Sequence, residues 1–323
     1  MPENTPPFRR QLPFILGLVL ILAALPLGYY FFLREAPPPP APAEPVKPPE
    51  PVVEAPEPAK PVRLEITQVS GTVEVKTKEG TWKAVDRGTS LSSADAVRTL
   101  SGSYAVIIGS ESVQIEMDPG TEVTVEELTT SVSRLLLNKG MATTTVLTGK
   151  GHTIEFKAAG SDAAATATEQ GTFTMSNDGA GTVAVGARSG QVEFRGNNRV
   201  VIVRAGYQSV LRPGGEGPSA PTQVPTSLLR KLQWPGRQQN KDKIVIKGEA
   251  EPGTRVEIAG ESLIPGKDGT FEKTIRLKEG ENEVKVRAVS VVGTQQEDQR
   301  KFSVDTRPPV TNIPSPWKNS GGQ

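Results

Sequence analysis

The side chains able to perform chemistry are few and widely spaced in this chain. His152 is the only histidine and there is no cysteine. A Ser-His-Asp triad would therefore have to use His152, and a Cys-His pair is excluded. His152 follows Lys150-Gly151 and precedes a strand pattern, which predicts a surface loop. We expect no catalytic nucleophile.

Paired carboxylates are the other arrangement that could support hydrolysis. Glycosidases place two of them across a sugar ring. The candidates are Glu126 with Glu127 and Glu111 with Glu116. Adjacent strand residues point to opposite faces, so we expect Glu126 and Glu127 to be separated. The sequence therefore predicts a protein that is not an enzyme.

No cofactor or metal motif is apparent. The His/Cys spacing of a zinc site and the acidic loop of a calcium site are both missing from the sequence. Gly179-Ala180-Gly181 with Gly186 resembles a dinucleotide loop, but strand patterns follow it where a helix is required, which predicts a turn. We predict neither a cofactor nor a bound metal.

Contact residues for a partner are the remaining candidates. A locally basic strip and two tryptophans make up this set: Arg188, Arg195, Arg199, Arg204, Arg212, Trp234 and Trp317. The strip is either a solvated face or a contact for an anionic wall polymer or an acidic protein. The net charge of +1 gives no support for nucleic-acid binding.

The element that places the chain in the cell is residues 12–33, a run without charge that ends in Tyr29-Tyr30-Phe31-Phe32. As a helix it would cover roughly 33 Å, which is enough for a hydrocarbon core of about 30 Å. Aromatic residues favour the membrane interface. We predict a single transmembrane anchor, with residues 1–11 as a short cytoplasmic tail.

Three alternatives to an uncleaved anchor stay open, and one of them, a buried core helix, is disfavoured because nothing on either side could bury it. A cleaved signal peptide has a shorter apolar region and a small-residue cleavage site, and the nearest such site, Ala41-Pro42-Ala43, lies in a proline tract. Arg9-Arg10 could belong to a twin-arginine signal, although the surrounding residues match poorly. The same arginines favour a cytoplasmic N-terminus, so the C-terminal bulk is expected in the periplasm.

Residues 34–61 form a proline-rich linker by composition. Proline fixes φ and lacks an amide donor, so helix and sheet are disfavoured. The segment is either an ordinary flexible linker or a stiff polyproline spacer.

Residues 62–212 predict an all-β domain. Short pairs of apolar residues alternate with polar ones, as at Val113/Ile115 and Val123/Val125, and turn signals such as Asp118-Pro119-Gly120 separate them. This spacing is typical of a sandwich, barrel or solenoid. We expect Trp82 to cover one end of the core and Asp95 to pair with Arg98 across a turn.

These residues also resemble the FecR-type periplasmic domain. The matching segments are Val69-Ser70-Gly71-Thr72-Val73, Trp82, Asp95-Ala96-Val97-Arg98-Thr99, Gly171-Thr172-Phe173, Ser189-Gly190-Gln191-Val192 and Ala205-Gly206. The resemblance implies a β-solenoid-like fold outside the cytoplasmic membrane that serves interaction or signalling. Gly109-Ser110-Glu111-Ser112 departs from the family's Asp-Gly-Ser turn. The founding members carry an anti-sigma segment before the helix, and about eleven residues are too few for one.

Residues 213–240 read as a linker with one short helix beginning at Thr226 and ending at Trp234-Pro235, with Leu228, Leu229 and Leu232 on one side. Residues 241–306 return to strand alternation and predict a small antiparallel sandwich. Their order of turns resembles bacterial immunoglobulin-like modules, especially the accessory β domain of glucodextranase-type enzymes, which implies a spacer or contact role. Residues 307–323 are expected to be a disordered tail.

The sequence therefore predicts an all-β protein with one N-terminal transmembrane helix, a FecR-type β domain that is solenoid-like or a sandwich, and a small immunoglobulin-like sandwich. The expected function is a non-catalytic scaffold of the inner membrane that binds envelope proteins. The alternatives are contact with peptidoglycan or another glycan, and signalling through a separate membrane partner.

Overall fold

The fold is described from a computed structural model of the 323-residue chain. The structure describes residues 12–33, 63–109, 113–147 and 152–308. The predicted proline-rich linker at 34–61, Glu111 and Trp317 lie outside the described residues. The chain divides into two compact units, Met1–Pro58 and Ala59–Gln323.

The first unit contains the apolar helix. Helix α1 spans Leu12–Gly28 and continues as a π-helical turn, Tyr29–Leu33. The window Ile15–Phe32 has a mean hydropathy of 2.2, and none of its residues is buried. Its length and composition are compatible with a single-pass membrane anchor or a signal sequence.

The second unit begins with seventeen strands that form the first β domain. They are β1 (Leu64–Ser70), β2 (Val73–Lys76), β3 (Lys83–Ala84), β4 (Thr89–Leu91), β5 (Ala96–Thr99), β6 (Tyr104–Gly109), β7 (Val113–Met117), β8 (Glu122–Leu128), β9 (Val132–Val146), β10 (Thr153–Ala158), β11 (Ala164–Ala167), β12 (Gly171–Asn177), β13 (Val183–Ser189), β14 (Gln191–Gly196), β15 (Arg199–Arg204), β16 (Tyr207–Leu211) and β17 (Thr222–Gln223).

These strands form two sheets that share one long strand. Sheet I runs β4-β1-β6-β7-β9-β12-β13-β16-β17. Sheet II runs β3-β2-β5-β8-β9-β10-β11-β14-β15. Alternating apolar side chains of both sheets pack into one core, so the domain is a sandwich. Most neighbouring strands are antiparallel, and β9 and β10 are parallel.

Strand β9 crosses from one sheet to the other at Gly140. Residues before it pair with β8 and residues after it pair with β7 and β12. Gly140 has a φ of +95°, and a Cβ there would lie 2.5 Å from the Cα of Thr121. Only glycine fits this approach without strain, so the crossing depends on it.

The second β domain has eight strands in two sheets. They are β18 (Leu229–Gln233), β19 (Gln238–Gln239), β20 (Lys243–Ala250), β21 (Arg255–Ile258), β22 (Glu261–Leu263), β23 (Thr270–Arg276), β24 (Gly280–Val289) and β25 (Gln295–Val304). Sheet III runs β18-β20-β23, and sheet IV runs β19-β25-β24-β21-β22. One apolar cluster lies between them.

The helix predicted from Thr226 is wrong, because Leu229–Gln233 forms strand β18. The nine residues between Pro225 and Pro235 are too few for a helix that is not supported by packing. The second domain instead buries both Leu228 and Leu229. Their amides donate to the side-chain oxygen of Gln296 at 2.7 and 2.9 Å. Strands β17, β18 and β19 thus incorporate much of the predicted linker into the two domains.

Candidate protein-contact surfaces

His152 contacts two polar groups in the first domain. Its Nε2 lies 3.0 Å from the hydroxyl of Ser133, and its Nδ1 lies 3.2 Å from the carbonyl oxygen of Thr130. The side chain is half-buried and precedes β10. These contacts position the ring at the start of a strand and include no acidic partner of a triad.

The expected separation of Glu126 and Glu127 is wrong. Glu126 pairs with Lys157 at 2.9 Å, and Glu127 pairs with Arg134. The basic side chains of Lys157 and Arg134 both lie on the outer face of sheet II. The β-ladder shifts register between Val125 and Glu127, and such a bulge turns successive side chains toward one face. The two carboxylates are occupied by cations.

Glu155 is the centre of this charge cluster. Its carboxylate accepts from Arg134 at 2.5 Å and also from Arg195. Burial favours the neutral form of Glu155, but the bonds from the two guanidinium groups outweigh it and hold the pKa below its usual range. The same bonds raise the pKa of Arg134. The cluster therefore stays ionised and ties β8, β9, β10 and β14 together.

The five arginines do not form one strip. Arg188 and Arg212 lie on or beside sheet I, next to the second domain: a Cβ on Gly293 would lie 3.2 Å from the Arg188 guanidinium carbon. Arg212 Nε donates to the carbonyl oxygen of Lys267 at 3.3 Å. Arg195 belongs to the Glu155 cluster, and Arg199 and Arg204 end strand β15.

The two described tryptophans have arginines against their rings. The Arg98 guanidinium carbon lies 4.2 Å from the Trp82 centroid, and Arg98 pairs with Glu74 at 2.6 Å. The expected Asp95–Arg98 pair is therefore wrong; Asp95 accepts from the amide of Ser92.

Trp234 packs against the core of the second domain, 5.8 Å from Phe302 between ring centroids. Its indole nitrogen donates to Asp298 at 3.2 Å, and Arg300 lies 5.5 Å from the ring centroid.

The two β domains pack against each other through the outer face of sheet I. Val291, in the β24–β25 loop, is fully buried against Met141, Ala184 and Val210. A Cβ on Gly186 would lie 2.6 Å from a Val291 methyl group, so the missing side chain makes room for the loop. We call this contact the junction.

Charged and polar groups surround the apolar centre of the junction. Arg255, whose side chain is only 6% exposed, places Nε 3.4 Å from the Asp118 carboxylate. That nitrogen makes no hydrogen bond, so the contact is a close charge pair. Ser101 donates to the carbonyl oxygen of Gly260 at 2.6 Å.

Asp118 has an unusual titration. Burial raises its pKa, and the opposing fields of Arg255 and Arg188 do not fully compensate. Burial, together with the field of Glu116, also raises the pKa of Tyr104. The polar part of the junction therefore includes an aspartate that costs free energy to keep ionised.

Strand β15 is an open edge of sheet II. It pairs with β14 through an unbroken ladder closed by Asn197-Asn198, which have φ values of 47° and 59°. A two-residue loop of this type is flanked by a hydrogen-bonded pair, here Gly196 and Arg199. Hydrogen-bonded and non-hydrogen-bonded residue pairs then alternate along the ladder, which agrees with the bond from the Ala205 amide to the Gly190 carbonyl.

The backbone amides and carbonyls of Val200, Ile202 and Arg204 consequently face away from β14. In an isolated parallel bridge with β13, the Arg204 carbonyl accepts from the Ala187 amide, next to the bond from the Gly206 amide to the Ala187 carbonyl. Within the described ranges, the outward groups of Val200 and Ile202 pair with no other strand. Val200 and Ile202 are 56% and 44% exposed, and Arg204 has no ion-pair partner among the described side chains. The edge thus presents free backbone groups beside exposed apolar side chains.

Metal ligation finds no support in the described part of the chain, where no group of three or more His, Cys, Asp or Glu side chains is arranged to hold an ion.

Comparisons with known proteins add little. No family model matches this chain, and no curated protein matches it. Two solved structures of a candidate anti-sigma factor from Parabacteroides distasonis align at 16% identity with a TM-score of 0.34. Each alignment covers 40% of this chain and 59% of the other. A polysaccharide lyase aligns at 9% identity and a TM-score of 0.18, over 74% of this chain and 40% of the lyase. At this similarity neither neighbour identifies a function.

Sequence reasoning missed both the junction and the open edge. The apolar pair Val291-Val292 was the only local signal for the junction, since it lies in a turn where exposed valines are unexpected. The edge had a clearer signal: Arg199-Val200-Val201-Ile202-Val203-Arg204 carries no charge between its terminal arginines. Which strands end a sheet depends on long-range pairing.

Proposed function

We propose that this chain is a membrane-anchored, non-catalytic scaffold of the cell envelope that lies in the periplasm and binds protein partners. One observation carries the proposal: an apolar span, Ile15–Phe32, and two β domains joined by a closed apolar contact occur in one chain. A partner held by either domain would then keep a fixed position relative to the other. Anchoring to a membrane raises the effective concentration of such a body near its partners.

Further support comes from the sequence and from the carboxylates. The FecR-type resemblance of residues 62–212 favours an interaction role outside the cytoplasmic membrane. The acidic residues of sheet II that could serve hydrolysis are neutralised by Arg134, Lys157 and Arg195, which stabilise the fold. Catalysis would require carboxylates free to exchange protons.

Binding of peptidoglycan or another glycan is less well supported. Sugars stack on open aromatic faces, and arginine side chains lie over both Trp82 and Trp234. Signalling through a separate membrane partner is compatible with a scaffold that receives the signal. The identity of the bound partner distinguishes a signalling role from a purely structural one.

In-cell crosslinking of the full chain with a C-terminal tag tests the proposal. We expect defined envelope proteins in the purified adducts. The matched control replaces residues 12–33 with a cleavable signal peptide, which releases the same β domains and should reduce the adducts at least about tenfold through lost effective concentration. Muropeptides without a reproducible protein would refute the scaffold and favour wall binding.

A further inference from the structure

Strand β15 combines features that edge strands of stable proteins normally avoid. Natural sheets protect their edges by keeping them very short or by placing charges along them. The other terminal strands of sheets I and II follow this rule, since β3 and β17 have two residues each and β4 has three. Strand β15 has six.

The long edge of the second domain is protected by charge. Strand β23 carries Glu272, Lys273 and Arg276 along its length, and Lys273 pairs with Glu261. In β15, the four residues between the terminal arginines are all β-branched and apolar. They have a strong preference for strand structure.

We propose that β15 binds an extended acidic segment of a partner protein, which adds to sheet II as a further strand. The outward amides and carbonyls of Val200 and Ile202 supply the backbone ladder. In strand addition, these bonds provide affinity and the alternating side chains provide specificity.

The side chains around the edge define the partner. Val200 and Ile202 lie on the outer face and offer apolar contact to every second partner residue. On the inner face, Val201 is half-buried and packs against the core, while Tyr207 is 37% exposed. The added strand is therefore apolar or β-branched in its centre.

The charges at the two ends of β15 predict the residues at the ends of the partner segment. Arg195 of β14 is already paired with Glu155, so the charges available at the edge are the terminal arginines of β15, Arg199 and Arg204. Arg199 has only a loose contact at 3.6 Å with Glu216, and both are exposed. Acidic ends on the partner would pair with the two terminal arginines. A second copy of this chain would instead bring arginines together at both ends, which is unfavourable in a ladder.

The probe is a fluorescein-labelled ten-residue peptide with glutamates at both ends and alternating valine and threonine between them. Anisotropy is measured with the full-length protein in detergent. We expect binding, at least about tenfold weaker binding when lysines replace the glutamates, and none when alternate peptide amides are N-methylated. Bound peptide should slow amide hydrogen exchange at Val200 and Ile202 about tenfold.

Two variants separate the edge from general apolar contact. Ile202→Pro removes one outward amide without touching a bond to β14, and should weaken peptide binding at least about tenfold. Val200→Lys should also weaken it, whereas Val245→Lys, at a similarly exposed valine of β20, should leave it unchanged. If Ile202→Pro does not fold, Arg204→Glu takes its place and should shift the preference toward the lysine peptide.

The assignment fails if neither peptide binds, or if binding persists in Ile202→Pro and Arg204→Glu. It also fails if sedimentation shows a dimer that is abolished by Ile202→Pro and is not displaced by the acidic peptide. A second copy of this chain would then be the occupant of the edge. This inference rests on the proposed function but fails separately. Peptide binding without envelope adducts would refute the scaffold alone, and adducts that survive Ile202→Pro would refute the edge alone.

Discussion

At the scale of single residues, Glu155 is a nearly buried carboxylate that pairs with two arginines of the first domain. Its side chain is 9% exposed and bridges Arg134 and Arg195, which come from different strands. Burying a carboxylate is unfavourable unless it is paired and hydrogen-bonded. The two guanidinium groups meet this requirement, and the lowered pKa of Glu155 records their effect.

We expect Glu155→Gln to lower the free energy of unfolding by about 1–2 kcal/mol at neutral pH, because two half-exposed arginines lose their acceptor. Urea denaturation of the full chain, followed by circular dichroism, measures the loss. Glu193→Gln is the matched control. It makes the same substitution in the same sheet, on strand β14, at an exposed residue that has no ion pair among the described side chains. Equal losses in both variants would contradict the cluster's role.

The pH dependence of this contribution follows from the sign of the shift. A lowered folded-state pKa means that the unfolded chain binds the Glu155 proton more tightly. The stabilisation is complete above the unfolded pKa, near 4.3, and is lost as the pH falls through the lower folded value. The difference between wild type and Glu155→Gln should therefore shrink below about pH 4, as parallel urea titrations would show.

At the scale of elements, the crossing of β9 between the sheets depends on the absence of a side chain at Gly140. Gly140→Ala combines an unfavourable positive φ with a Cβ in contact with the backbone of Thr121. We expect a loss of about 3 kcal/mol or more. Gly88 has a φ of +87° and open space around its Cα, so Gly88→Ala isolates the φ cost at about 1 kcal/mol.

Thermal unfolding of the two glycine variants separates strain from overlap. A melting temperature for Gly140→Ala no lower than that of Gly88→Ala would show that Thr121 moves aside and that the crossing is adaptable.

The elements also show how far the sequence determines this fold. Alternation predicted strands such as Val113–Met117, because one face of each is buried. It misjudged residues 226–234, where apolar spacing suited a helix until Gln296 and the second domain's core favoured a strand. The bulge at Glu126 and the open edge at β15 depend on pairing between distant segments, which no local pattern encodes.

At the scale of the joined β domains, the junction determines whether they act as one body. We expect Val291→Asp to separate them, because an unpaired carboxylate would replace a fully buried methyl cluster while both domain cores stay intact. Val245→Asp, on an exposed face of β20, is the control. The chain has no cysteine, so Ser70→Cys and Lys301→Cys can carry a dye pair. A broadened distance distribution in Val291→Asp alone is the expected result, and an unchanged distribution would contradict it.

Acidity should tighten the same junction. Burial and the nearby Glu116 disfavour the charged form of Asp118, whereas Arg255 and Arg188 favour it. The net effect is a raised pKa of Asp118. A raised folded-state pKa means that the folded chain binds the Asp118 proton more tightly than the unfolded chain does. The stabilisation from the protonated Asp118 is therefore complete below the unfolded-state pKa, near 3.9. It is lost as the pH rises through the folded-state pKa. Asp118→Asn fixes the neutral form and should remove this component from the pH dependence of unfolding. The exposed Asp86→Asn should not change it. A wild-type curve that stays parallel to that of Asp118→Asn between pH 4 and 7 would show instead that the charge pair with Arg255 outweighs burial.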